Sequence, residues 1–388
     1  GLAVSSALSV TGILAFTVRL ATDTEALMTS VQRIAEYTKL KTEAPAEIPE
    51  TEPPPEWPEK GDIVFTDYVM RYRPDLDPVV KNLSFSIKSA EKIGIVGRTG
   101  AGKSSLMLAL FRMVEASSGT VHINGVDIST IGLNRLRNSV AIIPQEPVIF
   151  SGTLRYNLDP FERYSDEELW STLERCHLKA MVMAADEGLM MPVSENGDNF
   201  SIGQKQLLCL GRALLKPTKI LVMDEATAAV DIETDALIQK TVRTEFADRT
   251  VLTIAHRLNT IIDSDRILVL DLGRISEFDT PQALLDNPES LFYSLAHETG
   301  EANAAYLYGV ASGTISLLDD LSALAERAQI DAVVSNGGME LSPEEVELRE
   351  IYGEDEKEFE ESEVDVGDCP PRPLSGTFAA HGVSDFKH

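Results

Sequence analysis

Gly97-Arg98-Thr99-Gly100-Ala101-Gly102-Lys103-Ser104 decides the reading of this chain. The stretch follows an apolar run at 93–96, which reads as a buried strand, and it opens a helical segment at 104–111. Its spacing is GxxxxGK[ST]. Glycines at 97, 100 and 102 let the backbone curl, so that successive N–H groups point at a phosphate. Lys103 sets a cation between the β- and γ-phosphates of a nucleotide, and Ser104 offers its hydroxyl to Mg²⁺. A chance Gly-rich turn would not need a strand before it and a helix after it.

Downstream, Ile220-Leu-Val-Met-Asp224-Glu225 reads as a buried strand that ends in two carboxylates. Asp224 is placed to hold Mg²⁺, directly or through water, and Glu225 to polarise an attacking water. Alone this pattern is weak, because any strand that meets solvent can end in acids. Together with the loop at 97–104 it points to nucleotide hydrolysis. Between them, Phe200-Ser201-Ile202-Gly203-Gln204-Lys205-Gln206 opens a helix that runs to about 215. A hydroxyl, a glycine and a helix N-terminus together favour an anion. This one cannot easily reach the phosphate held at Lys103, so it is expected to serve the nucleotide of a partner domain.

The surroundings fit an α/β fold over residues 61–300. Apolar runs at 93–96, 140–143, 220–223, 251–254 and 267–270 alternate with helical stretches, the signature of a mostly parallel sheet. Residues 152–215 have helical patterning and no convincing strand, so a helical subdomain is expected there. Six prolines between 42 and 60 argue for an extended linker and a domain boundary. Before it, 20–41 reads as an amphipathic connecting helix. The start, 1–18, is uncharged until Arg19. As a helix it would span about 27 Å, either as a core helix or as the end of a membrane helix. The absence of a start Met favours the second: residues 1–19 as the end of the last transmembrane helix of a longer protein.

Composition describes the edges more than the centre. The net charge of −28 is uneven: residues 301–388 carry −15 and residues 42–59 carry −6. A run of thirteen acids and two bases at 344–368 reads as a solvated, disordered tail from 301 onward. The acidity argues against nucleic acid as a partner. Cys176, Cys209 and Cys369 are far apart and suggest neither disulfides nor zinc, which fits a reducing cytosolic setting.

The order of these motifs resembles the ATP-binding-cassette (ABC) family, whose signature LSGGQ corresponds to 200–204. The resemblance implies a P-loop NTPase core with an antiparallel β subdomain and an inserted helical signature subdomain. It assigns Gln145, in Ile142-Ile143-Pro144-Gln145, to the Q-loop, which touches Mg²⁺ and the transmembrane domain. It assigns Asp231 to the D-loop, His256 to the switch histidine at the γ-phosphate, and Tyr72 to the aromatic that stacks on adenine, with Tyr68 close by. Backbone and side chains of 97–105, through Ser105, would cradle ATP, while Ser201, Gly203 and Gln204 would face the partner's nucleotide. The runs 94–105, 142–153, 157–161 and 225–231 resemble the second nucleotide-binding domain of subfamily C, the multidrug-resistance-associated proteins. The runs 36–45 and 253–265 resemble its short branch. Implied partners are a first nucleotide-binding domain docked head-to-tail, transmembrane domains and an organic-anion cargo, on the cytosolic face of the plasma membrane. A gating or regulatory subunit, whose output is nucleotide binding, is the alternative. Two departures stand out: Ile202 takes the signature's third position, where the full motif has Gly, and Gly211 sits mid-helix where the family usually has Ala.

Overall fold

The structure, a computed structural model, describes residues 2–40, 42–224, 232–255 and 257–317. In chain order, helix α1 (Leu2–Thr38) precedes strands β1 (Ile63–Met70), β2 (Val80–Ile87) and β3 (Lys92–Val96). Helix α2 (Lys103–Leu110) leads to β4 (Ser118–Ile123) and β5 (Val126–Asp127), and α3 (Leu133–Ser139) runs straight into β6 (Val140–Ile143). A helical region follows: β7 (Gly152–Thr153), α4 (Leu154–Leu158), α5 (Asp166–Arg175), α6 (Lys179–Ala184), β8 (Pro192–Val193) and α7 (Ile202–Leu215). Then come β9 (Ile220–Asp224), α8 (Ile232–Glu245), β10 (Thr250–Ile254), β11 (Arg266–Asp271) and β12 (Arg274–Asp279). Helices α9 (Pro281–Leu285), α10 (Leu291–Glu298) and α11 (Glu301–Ala311) close the described chain.

The apolar runs become the central sheet, ordered β12-β11-β3-β10-β9-β6. Five of its strands are parallel and β12 is an antiparallel edge. The runs show no alternation because β3, β9 and β10 are buried almost throughout, as strands covered on both faces must be. A second sheet, β2-β1-β4-β5, is antiparallel throughout. Its strands alternate, because one face packs inward and the other meets solvent. Helix α2 shares its core with both sheets through Leu106, Ala109 and Leu110, beside Phe65, Ile95 and Val222. Burying each leucine is worth about 1.5–3 kcal/mol, which fixes the helix that begins at Lys103. The helical region packs on the central sheet: Leu169, Leu173, Leu207, Leu208 and Leu210 share one core with Ala141 of β6 and Leu221 and Met223 of β9. Within it, β7 and β8 form a two-residue ladder that the sequence did not betray.

Gly211 has a packing explanation. A Cβ there would lie 3.3 Å from Leu158 and 3.5 Å from the Cys176 sulfur, so α4 and α5 approach α7 closely at this point.

The structure adds detail at the boundaries. The stretch 42–60 is extended, with one 3₁₀ turn at Pro49–Thr51, and it is docked on the domain. Trp57 is buried in the core beside Ile123, to whose carbonyl its Nε1 donates at 3.0 Å. Arg135 donates to the carbonyls of Pro54 and Pro55 (both 2.7 Å) and of Trp57 (3.0 Å). The amides of Leu133 and Asn134 donate to Pro45 and Ala46, and Arg137 pairs with Glu43 at 2.9 Å. Prolines leave their carbonyls free of ladder partners, which makes the segment a good acceptor for such a clamp.

At the other end, α11 belongs to the domain rather than to a tail beginning at 301. Its Ala304, Leu307 and Val310 are buried, the last two in the core that holds Val96, Ala255 and Ile262. The acidic run at 344–368 lies outside the described residues. Helix α1 joins the two expected segments, 1–19 and 20–41, into one element, and from Val10 onward its side chains are exposed. No helix among the described residues is long and apolar enough to cross a membrane.

Candidate active site

The parallel register brings the motifs to one edge of the sheet. Asp224, last in β9, stands beside Ile254, and Ile254 stands beside Ile95 near the end of β3. Met223 stands beside Ile143, the last residue of β6. The loop 97–102, Asp224 and Gln145 therefore all leave the sheet at the carboxyl ends of its strands, the edge where open α/β sheets bind ligands. His256, Glu225 and Asp231 lie outside the described residues.

Gly97 and Gly102 show why the loop needs glycine. Gly97 has φ 153° and a Cβ there would fall 2.3 Å from the Leu270 carbonyl. Gly102, at φ 103°, turns the chain into α2. Behind the loop, Gly273 donates to the Ala101 carbonyl, so the β11–β12 turn props it. Ala101 is buried, whereas Arg98, Thr99 and Gly100 face solvent, with Arg98 3.8 Å from Glu298. Lys103 is buried and its Nζ donates to the Gly97 carbonyl at 2.7 Å. Burial lowers its pKa below the ordinary lysine value, and the nearby Asp224 carboxylate pulls it back up. Ser104 is exposed on the first turn of α2, while Ser105 is buried and its hydroxyl bonds that of Tyr72 at 2.8 Å.

The two tyrosines separate. Tyr68 is core: it packs edge-on to Phe65, 5.5 Å between centroids, and burial pushes its pKa up to about 12. Tyr72 is 47% exposed and tied to α2 through Ser105.

Ser201 caps α7 in a capping box: its hydroxyl accepts from the Gln204 amide at 3.1 Å, and the Gln204 side chain accepts from the Ser201 amide at 3.0 Å. Gly203 permits the approach of α8, since a Cβ would lie 2.6 Å from the Thr234 methyl. Ile202 is half exposed beside them. Among the described residues, no hydrogen bond joins Ser201 or Gln204 to the loop 97–105. Sequence reasoning overlooked Gln206 and Arg212 on the same helix, which hold the backbone around Gln145. Their one signal is polarity within an apolar helix.

Ser104, Asp224 and Gln145 supply a hydroxyl, a carboxylate and an amide carbonyl. These hard oxygen donors fit Mg²⁺, which takes few protein ligands and fills its octahedron with phosphate oxygens and water.

Residues 80–228 match the family model described as ABC transporter. The chain is 55% identical over 304 residues to the metal resistance protein YCF1 of Saccharomyces cerevisiae, covering 78% of this chain and 20% of that protein. It is 55% identical over 303 residues to the human ATP-binding cassette sub-family C member 2, again 78% of this chain and 20% of the relative. With the Dictyostelium discoideum ABC transporter C family member 3 the identity is 57% over 307 residues, 79% and 22% of the two chains. A solved bacterial Atm1-family ABC exporter with ATP bound superposes with a TM-score of 0.64 at 31% identity, covering 71% of this chain and 48% of that one. The chain thus spans about a fifth of the length of these curated relatives. With phosphate loop, acidic strand end and capped signature helix in this order on this sheet, the chain belongs to the ABC transporters, subfamily C, and its α/β core is their ATP-binding domain.

Proposed function

We propose that this domain binds and hydrolyses ATP to drive efflux of organic anions or their conjugates through transmembrane domains to which α1 and the docked linker connect. The observation that carries the reading is the convergence of Lys103, Asp224 and Gln145 at one sheet edge. Loop amides and Lys103 hold the phosphates, and Tyr72 stacks on adenine. Ser104, Asp224 and Gln145 would hold Mg²⁺, which neutralises charge on the β- and γ-phosphates. Glu225 orients water for in-line attack, and His256 and Lys103 stabilise charge on the γ-phosphoryl group as it passes to water and ADP leaves. Ser201, Gly203 and Gln204 cover the nucleotide of a first nucleotide-binding domain docked head-to-tail, Asp231 lies at the seam, and Ile202 crowds that second site. The domain sits on the cytosolic face of the plasma membrane.

Two measurements test this. Inside-out vesicles carrying the full-length protein should take up a conjugated organic anion only with ATP; ion current without uptake would favour the gating alternative and sink the exporter reading. Glu225→Gln should keep ATP binding and lower turnover by about 100-fold or more, and near-normal turnover would remove Glu225 from its role.

A further inference from the structure

Gln206 is 2% exposed in the second turn of α7, among Leu207, Leu208 and Leu210 of the helical core. A buried amide in such a place is costly unless both its ends are bonded. Only one end is. Its Nε2 donates to the carbonyls of Gln145 (2.9 Å) and Pro144 (3.3 Å), while Oε1 finds no hydrogen-bond partner among the described residues. A methionine would fill the volume without the orphaned acceptor, so the two donated bonds are what this residue contributes.

Those bonds belong to a larger arrangement. Arg212, further along α7, donates to the Val148 carbonyl at 2.6 Å and to the Asn157 carbonyl at 2.6 Å. Buried Asn157 of α4, itself bonded to Arg212 through Oδ1, accepts from the Phe150 amide and donates to the Phe150 carbonyl at 2.9 and 2.8 Å. The backbone at 144, 145, 148 and 150 is thus held from α7 and α4. The ladder of β6 with β9, by contrast, stops at Ile143–Met223.

We propose that Gln206 is a positioning residue, which locks the backbone of Pro144 and Gln145 to the signature helix so that Gln145 moves with α7 rather than with the sheet carrying Lys103 and Asp224. Any shift of α7, whose N-terminus is the Ser201 end, then changes where the Gln145 side chain stands relative to the phosphate loop. The catalytic consequence rests on the functional reading above; the mechanical link does not.

The test uses the full-length protein with Gln206→Met, which keeps the volume and removes the donors, and Gln206→Glu, which sets a carboxylate against two carbonyl oxygens. For Gln206→Met we expect a melting temperature within about 2 °C of the parent and a KM for ATP within about twofold. We expect kcat lower by about tenfold from the misplaced Gln145. Amide exchange in peptides covering 142–150 should quicken, and Gln206→Glu should be worse in kcat and exchange. Unchanged kcat and exchange in Gln206→Met would overturn the proposal, as would a fall in kcat that only follows a fall in melting temperature. If the parent protein hydrolyses no ATP, the functional reading fails. The exchange measurement needs no turnover and still decides whether Gln206 holds the segment.

Discussion

Lys103 carries a cost that a bound phosphate would remove. Its ammonium is buried, donates to one carbonyl at 2.7 Å, and has its pKa lowered by burial against the partial support of Asp224. Removing the charge therefore separates folding from binding. Lys103→Met should leave the melting temperature of the nucleotide-free protein unchanged or higher, because a buried ammonium that one carbonyl and Asp224 only partly compensate is gone. The same change should weaken ATP binding by about 100-fold, the worth of a charge-assisted contact to phosphate. Thermal unfolding and a nucleotide titration on one preparation check both halves. ATP affinity within threefold of the parent would sink the assignment of Lys103 to the phosphates. At this scale the sequence was most legible where chemistry and backbone geometry coincide, as at Gly97 and Lys103. It was least legible for Tyr68 and Tyr72, two similar side chains four residues apart. A register shift in β1 between Phe65 and Tyr68 sends one ring into the core, and the second lies beyond the strand's end.

The signature helix α7 shows what an element reveals before its neighbours are known. Its N-terminus was readable because Ser201 and Gln204 have the spacing of a capping box, and the parallel strands were readable as unbroken apolar runs. The partners of Gln206 and Arg212 were not, because they are carbonyls more than fifty residues away that only folding brings near. Helix α11 was missed because it follows Gly300 and adjoins an acidic stretch, although Ala304, Leu307 and Val310 already repeat at helical spacing. The C-cap of α7 gives a pH prediction. Lys216 donates to the carbonyls of Arg137 (2.9 Å) and Val140 (2.7 Å), and burial, helped by the nearby charge of Arg163, lowers its pKa to about 8. Below that pH both folded and unfolded chains hold the proton, and the folded state bears the full cost. Between about 8 and the ordinary lysine value of 10.5 the folded chain has lost the proton and the unfolded chain has not, so stability rises with pH. Cys176 and Cys209, pushed up by burial from the ordinary 9.0, and Tyr68, from 10.0, act in the opposite direction above those values, equally in parent and variant. Lys92 and Lys103 add rises of their own, common to parent and variant. Urea unfolding at pH 7.5 and 9.5 should thus show a larger gain for the parent than for Lys216→Met, and equal gains would exclude Lys216 as the source.

Across the whole molecule, the connection between α1 and the ATP-binding core decides how motion could pass between them. Six prolines predict an extended linker, and extended backbone is what they produce, yet composition says nothing about where an extended chain lies down. Here three carbonyls converge on Arg135 and the indole of Trp57 enters the core of the antiparallel sheet. Arg137 grips Glu43 and also donates to the Phe111 and Arg112 carbonyls, just beyond the C-terminus of α2, the helix that begins at Lys103. A pull on the linker therefore reaches the phosphate-loop helix through one guanidinium instead of being absorbed by slack chain. Arg135→Ala should release the linker and leave nucleotide binding intact, because none of its three acceptors lies near the phosphate loop in the chain's hydrogen-bond network. A Glu-specific protease is the suitable probe, since the stretch 42–59 offers six glutamates. In the parent, cleavage there should lag, held back by the buried Trp57 and the clamped carbonyls. In Arg135→Ala it should run about tenfold faster, tracking the larger open fraction of the segment. If parent and variant are cut at the same rate while both still bind ATP, Arg135 does not hold the linker and α1 is joined to the domain by a loose tether.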